Sequence, residues 1–144
     1  MIHDLALSVV MVTATVTIHF FGLLILIYLL RRHGAGKRVQ HSTFRQGFVI
    51  LIVMLGIFVI HTIEIWLYAL AFWFLGALPD FEQALYFSTS TFSSVGYGDI
   101  VLPVQWRIFG AIEAPNGLIL IAWSTAFLIS LMNHLRALEH DWLE

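Results

Sequence analysis

The 144-residue chain has no cysteine, only three prolines, and few charges, with Asp, Glu, Lys and Arg together making up 11%. Without cysteine there is no disulfide framework, no thiol nucleophile and no thiolate metal ligand. So few charges beside 60% hydrophobic residues exclude the surface of a soluble globular domain. Internal repeats and low-complexity tracts are also missing, and no nucleophile and base stand at a spacing that points to an enzyme. Neither an organic cofactor nor a nucleic-acid partner is expected. What remains is the composition of an integral membrane protein.

A hydrocarbon core of roughly 30 Å takes about 20 apolar residues to cross. Leu5 to Leu30 qualifies and carries no acid or base except His19; Phe48 to Leu75 qualifies and is interrupted by His61 and Glu64. Trp106 to Leu131 is the third, and contains Glu113, Pro115, Asn116 and Gly117. The first segment is read as a true span and not as a cleaved signal peptide, because its leader MIHD carries an acid and its apolar run is full length. Of the seven Lys and Arg residues, Arg31, Arg32, Lys37, Arg38 and Arg45 fall between the first two segments. Short cytoplasmic loops collect such residues, which places the N-terminus outside and the C-terminus in the cytoplasm. Arg31, Arg32, Lys37 and Arg38 also suit anionic lipid headgroups, although fixing topology is the plainer reading.

The chain therefore divides into an N-terminal span with its basic loop (1–46), a membrane core (47–135) and a short acidic tail (136–144). The tail is too short for a cytosolic ligand-binding domain, so regulation of that kind would need a separate subunit. Between the second and third spans, GALPD is a turn signal, and Asp80 with Gln83 three residues on matches a helix N-cap with a capping box. The spacing predicts a short helix over Phe81–Phe92, with sequence FEQALYFSTSTF. It is too short and too polar to span, yet too aromatic for a solvated loop. The economical reading is a re-entrant hairpin, since irregular backbone is tolerated at membrane depth only where protein buries it or water bathes it.

Directly after that helix stands SVGYGD, Ser94 to Asp99. Together with the hydroxyl-rich helix and the flanking spans it resembles the pore loop of the potassium channel superfamily, whose filter usually reads Thr-Val-Gly-Tyr-Gly. The resemblance covers about Phe48 to Leu131, with the first span additional to it. It implies an all-α membrane protein of three transmembrane helices plus a re-entrant pore helix (81–92) and filter loop (94–98), assembled as a homotetrameric channel. K⁺, the permeant ion, would be bound by the carbonyls of Ser94, Val95, Gly96 and Tyr97, with the Ser94 hydroxyl at the inner end and Gly98 at the outer mouth. A dehydrated K⁺ needs several oxygens at each level and one chain offers one or two, which is why four copies are required. Gly96 and Gly98 supply backbone conformations that a Cβ resists. Ser94 departs from the usual Thr: it keeps the hydroxyl and loses the methyl that restricts χ1. The helix directs its partially negative C-terminal end toward the pore centre, and Asp80, Glu82 and Asp99 make the outer vestibule acidic.

Around the filter, Tyr86 and Phe87 sit where such proteins carry an aromatic cuff. Glu113 reads either as a proton-sensitive group behind the filter or as a carboxyl satisfied by hydroxyls such as Ser88, Ser90 or Thr91. Pro115 and Gly117 read equally as a gating hinge and as a static kink. His61 and Glu64, at i and i+3, could pair with each other or reach Glu113; as two donors they fall short of the three or four a metal site wants. His19 is read as packed and hydrogen-bonded. The first span lacks the regularly spaced arginines of a voltage sensor. The expectation is passive, selective K⁺ conduction across the plasma membrane of a prokaryote. A weakly selective cation channel and a non-conducting membrane subunit with the same fold are the alternatives.

Overall fold

The computed structural model of the chain describes residues 2–32 and 43–135. Four α-helices account for most of them: α1 (Ile2–Arg32), α2 (Thr43–Phe74), α3 (Phe81–Phe92) and α4 (Arg107–Leu135), the last entered through a single 3₁₀ turn at Val104–Trp106. Three helices are long and apolar enough to cross a membrane, over Ile2–Arg32, Gln46–Phe74 and Val104–Asn133. Each runs a few residues past the expected span at one or both ends, because a helix does not stop where its apolar run stops. Lys37, Arg38 and the acidic tail lie outside the described residues; Arg31 and Arg32 form the last turn of α1 and are exposed.

The long helices bury several polar residues, while the exposed Thr13, Thr17, Thr62 and Thr125 satisfy their hydroxyls on carbonyls of their own helix. On α1 the buried stripe is Ser8, Met11, Thr15, His19 and Leu23, at helical spacing, while Val9, Val10, Phe21 and Ile25 on the other faces are exposed. Lipid is as apolar as leucine, so a membrane helix has no reason to hide its apolar face and good reason to bury polar groups that its own backbone does not satisfy. Small residues bring α1 and α2 together: a Cβ on Gly22 would meet the Ile60 side chain, and one on Gly56 would meet Leu26. Leu23, Val53, Ile57 and Ile60 form the apolar cluster there.

Helix α2 ends at a glycine. Gly76 has φ 65°, and the amides of Gly76 and Ala77 reach back to the carbonyls of Trp73 and Phe72 at 3.0 and 2.9 Å, the pattern of a Schellman stop. Asp80 then caps α3, its Oδ1 accepting from the Gln83 amide at 2.8 Å. The other arm of the expected capping box differs, since the Gln83 side-chain amide donates to the Asp80 carboxylate at 3.0 Å. Helix α3 packs between α2 and α4. A nucleus of Tyr68, Phe72 and Phe109 holds the three together, with Phe72 and Phe109 rings 5.0 Å apart and Phe72 edge-on to Phe87 at 5.2 Å.

Candidate functional site

The C-terminus of α3 runs directly into the segment singled out by sequence. Ser93 caps the helix, and its amide returns to Thr89 O at 3.3 Å. The next amides are also drawn back: Ser94 N–H donates to Thr91 O at 2.9 Å, and Val95 and Gly96 both donate to Ser90 O, at 2.9 and 3.0 Å. Two successive amides converging on one oxygen form a backbone nest, filled here by a carbonyl in place of an anion. Among the described residues, no hydrogen bond goes to the carbonyls of Ser94, Val95, Gly96, Tyr97 or Gly98. The first three amides of the loop are therefore committed, and its carbonyls are free.

Its backbone alternates. Ser94, Gly96 and Gly98 have φ values of 60°, 53° and 78°, the left-handed region, at every second position. The sequence assigns that region to the two glycines; Ser94 shares it, and is the one non-glycine residue of the described chain with positive φ. A β-branched residue resists that region more than serine does, so the missing methyl has a local consequence in the backbone as well as at χ1. The Ser94 hydroxyl lies 3.4 Å from Ala114 O, which ties the start of the loop to α4. Val95 and Tyr97 are exposed.

Behind the loop, Tyr86 donates from its hydroxyl to Asp99 Oδ2 at 2.8 Å, and its ring stacks on Tyr97 with centroids 6.5 Å apart. That bond holds the Asp99 carboxyl below its ordinary range and the Tyr86 phenol above its own. Asp99 Oδ1 also accepts from the Ile100 amide at 3.0 Å. Tyr86 thus braces the C-terminal end of the loop, and Phe87 packs edge-on against Phe72.

Glu113 is buried and meets Ser88, whose hydroxyl contacts both Glu113 Oε1 and Ile65 O. Of the hydroxyls proposed as its partners, Ser88 alone is used; Ser90 turns back to Phe87 O. Glu64 does not reach Glu113. It lies between two imidazoles, with His61 Nδ1 at 2.8 Å and His19 Nδ1 at 2.9 Å, and Ser124 Oγ stands on the far side of both rings. The sequence gives His19 no partner, because α1 and α2 reveal nothing of their mutual register.

Helix α4 runs unbroken through Pro115. Gly117 is where α4 touches the end of α3, and a Cβ there would collide with the backbone carbonyl and ring of Phe92. Its structural need is therefore close approach. Beside it, Asn116 Nδ2 donates to Thr15 Oγ1 at 2.8 Å and to Tyr68 Oη at 3.1 Å, joining α4 to α1 and α2.

Two apolar spanning helices flank a capped short helix and a loop of free carbonyls, and the fold class is that of a multi-pass, all-helical membrane protein built around a channel-type unit. The model of the ion channel family matches residues 48–134, and the chain belongs to that family, with the two-span potassium-channel-type pore domain preceded by an additional apolar helix. Comparison with curated proteins and with solved structures gave no significant match.

Proposed function

We propose that the protein is a K⁺-selective channel, a homotetramer in which α3 is the re-entrant pore helix and Ser94 to Gly98 the filter. The observation that carries this reading is the row of unclaimed carbonyls at Ser94, Val95, Gly96 and Tyr97, with the amides of Ser94, Val95 and Gly96 anchored to the end of α3 and left-handed backbone at Ser94, Gly96 and Gly98. A monovalent cation stripped of water requires such oxygens, and four chains around an axis supply them at each level. The C-terminal end of α3 adds a partial negative charge beneath the loop. Asp80, Glu82 and Asp99 mark the outer side, with Arg31 and Arg32 in the cytoplasm at the basic end of α1, which puts the N-terminus outside. Exposed Phe58, Val59, Leu118 and Ile119 on α2 and α4 provide apolar surface for lipid and neighbouring subunits.

The filter backbone is the element to test. Gly96 has open space around an added Cβ but a φ of 53°, so alanine strains the loop without a clash. Gly96→Ala, reconstituted in liposomes, is expected to abolish K⁺ flux or its preference over Na⁺. An unchanged K⁺/Na⁺ ratio contradicts the carbonyl filter.

A further inference from the structure

Three titratable side chains meet on α1 and α2, beneath the end of α3, where the His61 ring lies 5.7 Å from that of Phe92. His19, His61 and Glu64 each offer a ligand atom, and these atoms lie within 4.8 Å of one another. His19 and Glu64 are fully buried, and the His61 side chain is 14% exposed. The two rings are 5.3 Å apart. We infer that His19, His61 and Glu64 form a binding site for a divalent transition metal ion of the zinc class, which staples α1 to the pore domain.

The hydrogen-bond count in this cluster points to a cation. With an ionised Glu64 and neutral imidazoles donating from Nδ1, both Nε2 atoms become acceptors. Both face the same group, Ser124 Oγ, at 3.0 Å from His61 and 3.4 Å from His19. A hydroxyl has one proton to give, so one Nε2 goes unserved. If an ion instead takes the two Nδ1 atoms and the carboxylate, both rings carry their proton on Nε2. The Ser124 oxygen has two lone pairs and accepts from both. This is the arrangement expected around a bound metal, where each ligating imidazole donates its other N–H to a fixed acceptor.

The donor set and spacing fit the same class of ion. Two imidazole nitrogens and one carboxylate, with a fourth position left open, suit zinc and its neighbours, whereas Mg²⁺ and Ca²⁺ want oxygen throughout. Donors of a tetrahedral site with bonds near 2.0–2.1 Å stand about 3.3 Å apart. His19 Nδ1 and His61 Nδ1 now meet different oxygens of Glu64, at 2.9 and 2.8 Å, and with all three ligand atoms within 4.8 Å of one another small shifts of the rings and carboxylate bring them onto one ion. Access comes from the His61 side, since His61 and Ser124 line a cavity of about 360 Å³ between α2, α3 and α4 together with Phe58, Thr89, Phe92 and Leu128. The family-matched segment begins at residue 48, so His19 is the one ligand contributed from outside it. Binding would hold α1 against α2 directly and against α4 through Ser124.

The test uses the full-length protein purified in detergent, stripped with a chelator, and titrated with Co²⁺ and then Zn²⁺. One ion per chain is expected, with Co²⁺ giving the intense visible absorption of a low-coordinate nitrogen and oxygen site and losing it when Zn²⁺ is added. His19→Gln and His61→Gln should each abolish that absorption. Ser124→Ala, which keeps all three ligands, should weaken binding about 10- to 100-fold. If the wild-type protein, eluting as a folded oligomer, shows no Co²⁺ absorption and holds no more metal than the His19→Gln/His61→Gln double variant, the proposal is overturned, and a proton shared in the cycle takes the place of the ion. Because the readout is optical, its failure leaves the channel reading untouched.

Discussion

Tyr86 and Asp99, one on α3 and the other just past the loop of free carbonyls, are joined at 2.8 Å and clamp the C-terminal end of that loop. The bond lowers the Asp99 pKa and raises that of Tyr86. A carboxyl depressed in the folded state contributes stability above its unfolded value and loses it as pH falls through the folded one. The clamp should therefore survive into the range where an ordinary Asp, near about 3.9, is already protonated. Tyr86→Phe removes the donor, and the acid midpoint of K⁺ flux is expected to move to higher pH. An unmoved midpoint means that the clamp does not support conduction.

Gly117 gives the packing of α4 on α3 a sharp requirement. Alanine there meets the Phe92 carbonyl, which belongs to the helix end that anchors the loop, and cannot be accommodated by a side-chain rotation. Overpacking of this kind costs about 1–3 kcal/mol. Gly117→Ala should lower the Tm in detergent and reduce flux. Gly47→Ala on α2, where an added Cβ meets nothing, should leave Tm unchanged or raise it, by up to about 1 kcal/mol in helix propensity.

Among the described residues, Ser88 is the only hydrogen-bond partner of the buried Glu113 carboxyl, and Glu113 Oε2 has none. Ser88→Ala leaves the carboxyl alone, at a cost of about 1–3 kcal/mol. Glu113→Gln keeps a polar group opposite Ser88, so its Tm should fall less than that of Ser88→Ala. Its flux should also follow pH as the wild type does. A flattened pH profile in Glu113→Gln would assign the carboxyl to proton sensing.

Asn116 reaches Thr15, 101 residues away, and Tyr68. Asn116→Leu removes a buried donor while keeping the volume, and leaves the Tyr68 hydroxyl without this partner. A loss of about 1–3 kcal/mol is expected. Protease sensitivity of α1 should rise more than that of α3, since α1 loses a direct link and α3 does not. Equal sensitivity argues that α1 is held by its apolar contacts alone.

Much of this molecule is legible locally. Asp80, Gln83 and the aromatic spacing delimit Phe81–Phe92 as the structure has it, because caps and periodicity are short-range signals. The outer spans are visible in hydropathy, though their ends are not, since helices continue past the apolar run. What sequence does not reveal is which helical faces meet. His19 finds Glu64 across 45 residues and Ser124 across 105, and nothing in any one helix specifies those pairings. Ser94 is a subtler case: its left-handed φ follows from the amides around it being drawn back to Thr91 and Ser90, a constraint set by the end of α3 and not by the serine.

The central claim is selective conduction through the carbonyls of Ser94 to Tyr97, and the most direct measurement is the reversal potential of the purified, reconstituted protein under opposed K⁺ and Na⁺ gradients. A shift toward the K⁺ equilibrium potential, with block by Ba²⁺, is predicted. A reversal potential near zero, showing equal passage of the two ions, would contradict it.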